Sequence, residues 1–368
     1  MKKSLLALAV LGAFAGAASA QSSVTLFGIV DVNARYVKTG DVKVKSLGTD
    51  GINSSRLGFR GVEDLGGGLK AGFHLEGALS PDDGTAGGFN FRRRSTVSLL
   101  GNFGEVRLGR DYTPSFWNLT VFDPFGTNGV GSFLNIFSQA NAASSSSLST
   151  PLLSGATTLV RANNTIGYFL PSGIGGFYGQ AQVAANEGPA TATAANKYAG
   201  GRVGYAAGPF DVAAAYGQTW LVGDGKFKIF DIGGSWDFGV AKATAQYVDM
   251  KTDRISLPLT ATTNAAATTA TGGAKVYQLG VIVPMGQGEI HAAYDRATGR
   301  DTFEGLKARQ IALGYVYNLS KRTALYGTVS DLKNEGGSAF VVATPPTAFG
   351  IATNEKSRGA EVGLRHSF

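Results

Sequence analysis

The chain has no cysteine, so a disulfide framework, a thiol nucleophile and a Cys-ligated metal centre are all excluded. Proline is scarce, 11 of 368 residues, and the 53 glycines follow no G-X-Y period, which rules out a collagen-like rod. Only three histidines occur, His74, His291 and His366, on three different segments and without an H-x-x-x-H spacing, so they do not read as a metal site. No G-x-S-x-G, phosphate loop or HExxH is present, and Gly173-Ile174-Gly175-Gly176 leads into no helix that could hold a phosphate. Nothing therefore calls for a cofactor. The net charge of +7 is too mild to demand nucleic acid as a partner. Beyond the first twenty residues no stretch of about 18 apolar residues exists, so no later segment is a spanning helix. That last absence says nothing about membrane strands, which look weak one at a time.

At the start, Met1-Lys2-Lys3 is followed by an apolar run from Leu5 to Ala18 and the small-residue sequence Ala18-Ser19-Ala20. These are the parts of a secretory signal peptide. Cleavage after Ala20 is expected, leaving 21–368 as one β-domain.

From there the sequence alternates. Val24, Leu26, Gly28, Val30, Val32, Ala34 and Tyr36 form one face, and Thr25, Phe27, Ile29, Asp31, Asn33 and Arg35 the other. Period two over that length is a strand with two unlike faces. Sixteen such segments follow one another, from 23–37 and 53–64 to 322–334 and 357–368. Short connections such as Asn102-Phe103, Gly239 and Ser320-Lys321 take turns with longer ones, near 38–52, 80–88, 113–159, 186–196, 221–225, 252–273, 299–305 and 335–356. Tight turns at one end and long loops at the other predict an all-β, antiparallel up-and-down barrel of 16 strands.

The polar face carries Asp31, Arg35, Arg56, Arg60, Glu76, Arg94, Arg161, Asp231, Lys242 and Glu361. Burying so many charges in a dry core would cost several kcal/mol each unless every one were paired. A water-filled lumen avoids that cost, and the apolar face must then meet lipid. Aromatics near segment ends, among them Tyr36, Phe177, Trp236, Tyr317 and Phe368, fit girdles at the two membrane boundaries.

Particular stretches resemble a known family. Ser23 to Asp31, the run Ser54-Ser55-Arg56-Leu57-Gly58-Phe59-Arg60-Gly61-Val62-Glu63-Asp64-Leu65-Gly66-Gly67, Gly101 to Arg110, and Asn163 to Tyr168 look like the general porins of β-proteobacteria. The resemblance covers the whole chain after the leader. It implies a Gram-negative outer-membrane location, a homotrimer, a third loop folded into the pore, and recognition of the terminal Phe368 by the outer-membrane assembly machinery. The run Arg92-Arg93-Arg94 departs from the family, which more often has a single Arg there.

The function is expected where the longest connection, 113–159, meets the wall. Its first half is aromatic, with Phe116, Trp117, Phe122, Phe125 and Phe133, and wants a surface to pack on; its second half is Ser/Ala/Thr-rich and uncharged. A loop of this length is functional more often than not. The wall opposite is expected to carry Arg56, Arg60, Arg92, Arg94 and Arg161, and the loop to contribute Asp111 and Asp123. Arginine ladders favour anions in a pore. The expectation is a passive channel for ions and small hydrophilic solutes with a moderate anion preference, weakened if the arginines pair with acids such as Glu76 and Asp31. A substrate-specific uptake channel is the alternative. A barrel enzyme weighs less, because no His stands beside a Ser on the outer rim.

Overall fold

In the computed structural model of the chain, residues 23–84, 90–136, 158–185, 197–221, 225–256, 269–343 and 353–368 are described. The expected leader and the Ser/Ala-rich part of the long loop, 137–157, lie outside them. Seventeen strand segments follow in order: β1 (Ser23–Thr39), β2 (Val42–Thr49), β3 (Arg56–Gly66), β4 (Leu69–Ala78), β5 (Arg94–Gly101), β6 (Gly104–Tyr112), β7 (Arg161–Phe169), β8 (Phe177–Ala184), β9 (Lys197–Ala207), β10 (Phe210–Trp220), β11 (Lys226–Asp237), β12 (Lys242–Ser256), β13 (Thr269–Met285), β14 (Gly288–Asp301), β15 (Lys307–Asn318), β16 (Thr323–Glu335) and β17 (Lys356–Ser367). Every neighbour pairs antiparallel, and β1 closes on β17 from Ile29↔Ser367 to Thr39↔Ser357. The terminal Phe368 is zipped into this seam, exchanging backbone hydrogen bonds of 3.0 and 3.1 Å with Gly28.

The seventeen segments make a sixteen-stranded barrel. Segments β2 and β3 lie end to end on one side of β1, pairing with Val32–Thr39 and Ser23–Ile29 respectively. The expected loop at 38–52 is therefore mostly strand, turned by Gly40-Asp41 alone. What breaks the strand is Asp31. Its carboxylate accepts from the backbone N–H of Gly51, Ile52 and Asn53 at 3.2, 2.9 and 2.8 Å, and from the Tyr326 hydroxyl. A buried carboxylate with that many donors is worth more than the two or three ladder bonds the bend gives up.

The two faces sort as the alternation predicts. Leu279 is 64% exposed and Val362 63% exposed on the outer face, whereas Asp295 and Gln310 are fully buried on the inner one. A soluble protein has the opposite order, so the outer face belongs in hydrocarbon, where a closed ladder leaves no backbone group unpaired. At the short-turn end, aromatic rings meet in a girdle, Phe177 edge-on to Tyr205 at 5.0 Å and Phe210 tilted against Trp236 at 5.9 Å.

One wall departs from the simple pattern. On the long-loop half of β11–β16 the inner positions are also apolar: Phe227, Ile229, Val248, Met250, Val276 and Leu332 are buried. They form a cushion under the long loop, which returns into the barrel.

Candidate functional site: the long loop and the arginine wall

The loop leaves β6 at Thr113, whose side chain caps a helix, α1 (Pro114–Phe122), through a 3.4 Å bond from Phe116 N–H. Pro114 sits in the first turn, where a missing N–H costs nothing. The helix lies against β8–β12, and a short 3-10 turn, Phe133–Ile136, against β14 and β15. Inward-facing side chains from successive strands hold it. Asn118 donates to Asp231 Oδ1 at 2.6 Å and accepts from Arg202 Nε at 2.7 Å. His291 Nδ1 donates to Pro124 O at 2.6 Å, and Gln310 Nε2 donates to Ser132 O at 3.0 Å. Glu361 accepts from Val130 N–H at 3.0 Å and from Arg35 Nε at 2.9 Å.

The close approach depends on glycine. A Cβ on Gly233 would overlap the Phe122 ring, and one on Gly280 would overlap the ring of Pro124. Both are inner-face positions of β11 and β13, so the wall is shaved where the loop touches it.

Opposite this shelf, β3–β7 carry the cations. Glu76 on β4 is the hub: Arg93 Nε lies 2.5 Å from its carboxylate, Arg56 Nη1 3.5 Å and His74 Nε2 3.4 Å. The same Arg93 donates to the Tyr112 hydroxyl at 3.1 Å, and Arg161 lays its guanidinium over the Tyr112 ring at 4.3 Å. On β6, Asp111 takes Arg107 at 2.6 Å and Arg94 at 3.7 Å, and Arg107 also grips Glu105 at 2.8 Å. Arg60 stands nearer the short-turn end, over the Phe27 ring at 5.3 Å. A recess of about 320 Å³ there is lined by Arg60, His74, Arg94, Glu105 and Arg107.

Among the expected wall residues, Arg56, Arg60, Arg94 and Arg161 are thus placed around one cluster. Arg92 is exposed, precedes the start of β5, and offers its carbonyl to Arg110 at 2.6 Å. Arg93 enters the cluster in its place. Asp111 belongs to β6 rather than to the loop. Asp123 is in the loop but faces inward on itself, accepting from Phe125, Thr127 and Phe133 N–H at 3.0, 2.9 and 3.1 Å and from Gln278 Nε2 at 3.1 Å. Burial pushes its carboxyl above the usual range, against these donors. Arg93, Arg107, Arg202 and Arg35 escaped the expected set. Arg107 and Arg202 could have been found by counting inner phase along β6 and β9. Arg93 could not, because alternation carried through 89–101 sets it on the face opposite Arg92 and Arg94, whereas the strand starts only at Arg94.

The Gram-negative porin family model matches residues 7–337. The chain belongs to the Gram-negative porin family. It is 44% identical to outer membrane porin protein 32 of Delftia acidovorans and 31% identical to an outer membrane porin protein of Bordetella pertussis, each over all of both chains. A solved structure titled as an anion-selective porin from Comamonas acidovorans matches with a TM-score of 0.81 and 40% identity, over 95% of this chain and 100% of that one. This porin is an outer-membrane channel, and the loop shelf and arginine wall just described face each other inside it.

Proposed function

We propose that this porin passes small hydrophilic solutes by diffusion with a preference for anions, set by the wall of β3–β7. The observation that carries the reading is an imbalance of charge. In the cluster on that wall six arginines, Arg56, Arg60, Arg93, Arg94, Arg107 and Arg161, gather with three acids, Glu76, Glu105 and Asp111, while nearer the short turns Asp64 of β3 stands opposite Lys70 of β4. The described part of the loop adds only Asp123, whose carboxylate is consumed by its own turn. In a narrow, partly desolvated gap the excess positive field is focused and weakly screened. The likeness to a structure titled anion-selective supports the same sign. Reversal potentials of the purified protein in planar bilayers under a KCl gradient test it: chloride-dominated potentials are expected, and a clear cation preference overturns the reading.

The constriction residues of this reading are Arg56, Arg60, Arg93, Arg94, Arg107 and Arg161 on the wall, with Asp111 and Asp123 as balancing and bracing acids. The same reading includes removal of residues 1–20 during export, a homotrimer, engagement of Phe368 by the assembly machinery, and no catalysis. The secretory pattern of the first residues, the family resemblance and the exposed end of the closing seam support these points. Mass measurement of the extracted protein in detergent checks the leader and the trimer together.

A further inference from the structure

The wall arginines are anchored in two different ways. Arg56 and Arg93 share Glu76, and Arg94 and Arg107 share Asp111. Arg161 and Arg60 have no carboxylate within salt-bridge distance among the described residues, and each lies on an aromatic face instead. Arg161 of β7 stands directly across from Tyr112 of β6, its guanidinium 4.3 Å from the ring centroid. Its Nε is buried without a hydrogen-bond partner among the described residues, so the ring is its main hold. Arg60 of β3 covers the Phe27 ring of β1 at 5.3 Å. That ring can lie flat because its cross-strand partner is Gly58, where a Cβ would overlap it.

The two kinds of anchor differ in the field they leave behind. A carboxylate holds a guanidinium by opposing its charge, and what reaches the bore is the weaker field of a pair. An aromatic face attracts the cation through its quadrupole, carries no net charge and leaves the positive charge uncancelled. We propose that Tyr112 and Phe27 are positioning residues for ion preference, their rings fixing Arg161 and Arg60 on the inner wall as uncompensated charges. This rests on the anion-selective reading of the wall and adds the residues that keep its excess charge in place. The Tyr112 hydroxyl also accepts from Arg93, but Glu76 already holds that guanidinium, so the ring face and not the hydroxyl matters. Arg107 covers a ring too, Phe169 at 3.9 Å, yet Glu105 and Asp111 clamp it at 2.8 and 2.6 Å. Phe169 therefore stands outside the set.

The test is a double-mutant cycle on the full chain, read as the chloride-to-potassium permeability ratio in planar bilayers under a KCl gradient. Arg161→Gln should lower the ratio by about twofold, the weight of one charge in a partly screened gap. Tyr112→Leu should lower it nearly as far although it removes no charge, and Tyr112→Phe, which keeps the ring, should restore it. In the Arg161→Gln background, Tyr112→Leu should have no further effect, because the ring then has no cation to hold. Phe27→Leu and Arg60→Gln should behave as a second such pair, and Phe169→Leu should move the ratio less than either ring variant. Heat-modifiable migration in SDS confirms that each variant is folded; if Tyr112→Leu is not, the Phe27 and Arg60 cycle decides. An unchanged ratio in both ring variants overturns the proposal, as does a loss in Tyr112→Phe equal to that in Tyr112→Leu. So does a loss that simply adds to that of Arg161→Gln, or a changed single-channel conductance at constant ratio, which is what displacement of the loop alone would give. Shifts are read relative to wild type, so a cation-preferring wild type overturns the earlier reading of the wall alone and leaves the cycle to decide this one.

Discussion

Asn118 of the long loop donates to Asp231 of β11 at 2.6 Å, a contact that spans 113 residues of chain and sits beneath the helix that narrows the pore. Arg202 reaches the same Asn118 from β9, so one amide fixes α1 to two strands. Hydrogen bonds to charged groups contribute about 1.5–3 kcal/mol. Asn118→Ala should therefore loosen α1 from the shelf by an amount of that order without opening the barrel. The expected result is greater open-channel current noise and a larger mean conductance in single-channel records, with unchanged heat-modifiability.

The wall arginines should control ion preference in proportion to how exposed they are to the bore. Replacing Arg94 and Arg161 together by Gln removes two positive charges facing the loop. The anion-to-cation permeability ratio should fall by about two- to fivefold, the effect of about 0.5–1 kcal/mol in a partly screened gap. An unchanged reversal potential would mean that these two guanidinium groups lie outside the ion path.

Residue type alone groups Asp111 with Asp123, and their surroundings separate them. Asp111 offsets Arg94 and Arg107, so Asp111→Asn should raise the anion preference. Asp123 braces a turn, and its amide replacement would set an NH₂ group against backbone donors. Asp123→Asn should leave the reversal potential near wild type and cost about 1–3 kcal/mol of loop stability through unmatched donors. Reversal potential and protease sensitivity of the loop, measured on both variants, distinguish the two roles.

Gly233→Leu tests the shelf. Its first added carbon would overlap the Phe122 ring, and that ring is fully buried against the wall. The helix must move toward the pore axis, so single-channel conductance should fall. A conductance equal to wild type would show that the wall yields instead of the loop.

Because the preference is attributed to a field across a water-filled gap, it should weaken with salt. The Debye length shrinks from about 30 Å at 0.01 M to about 3 Å at 1 M. Permeability ratios measured at these two KCl concentrations should converge toward unity at the higher one.

The barrel and its membrane orientation were legible because strand alternation is local: each residue's face follows from its neighbour's, and sixteen repeats average out errors. The long loop's destination was legible in part, through the aromatic rings of Phe116, Phe122 and Phe133. Three features were not. The strand at 42–49 read as a loop because its break is made by Asp31, a residue in another segment. Asp123 read as a pore acid because the donors that consume it include Gln278, 155 residues away. Arg93 read as an outward neighbour of Arg94 because the strand begins only at Arg94 and leaves Arg93 free to turn to Glu76.

Strand number, the two unlike faces and the medium each face meets were already written in residue order, since they depend on period and burial alone. Which charges answer one another across the bore, and which glycines let the loop lie down, came only with the closed fold. Those outcomes depend on the register and curvature of the sheet, which bring together side chains that no local pattern relates.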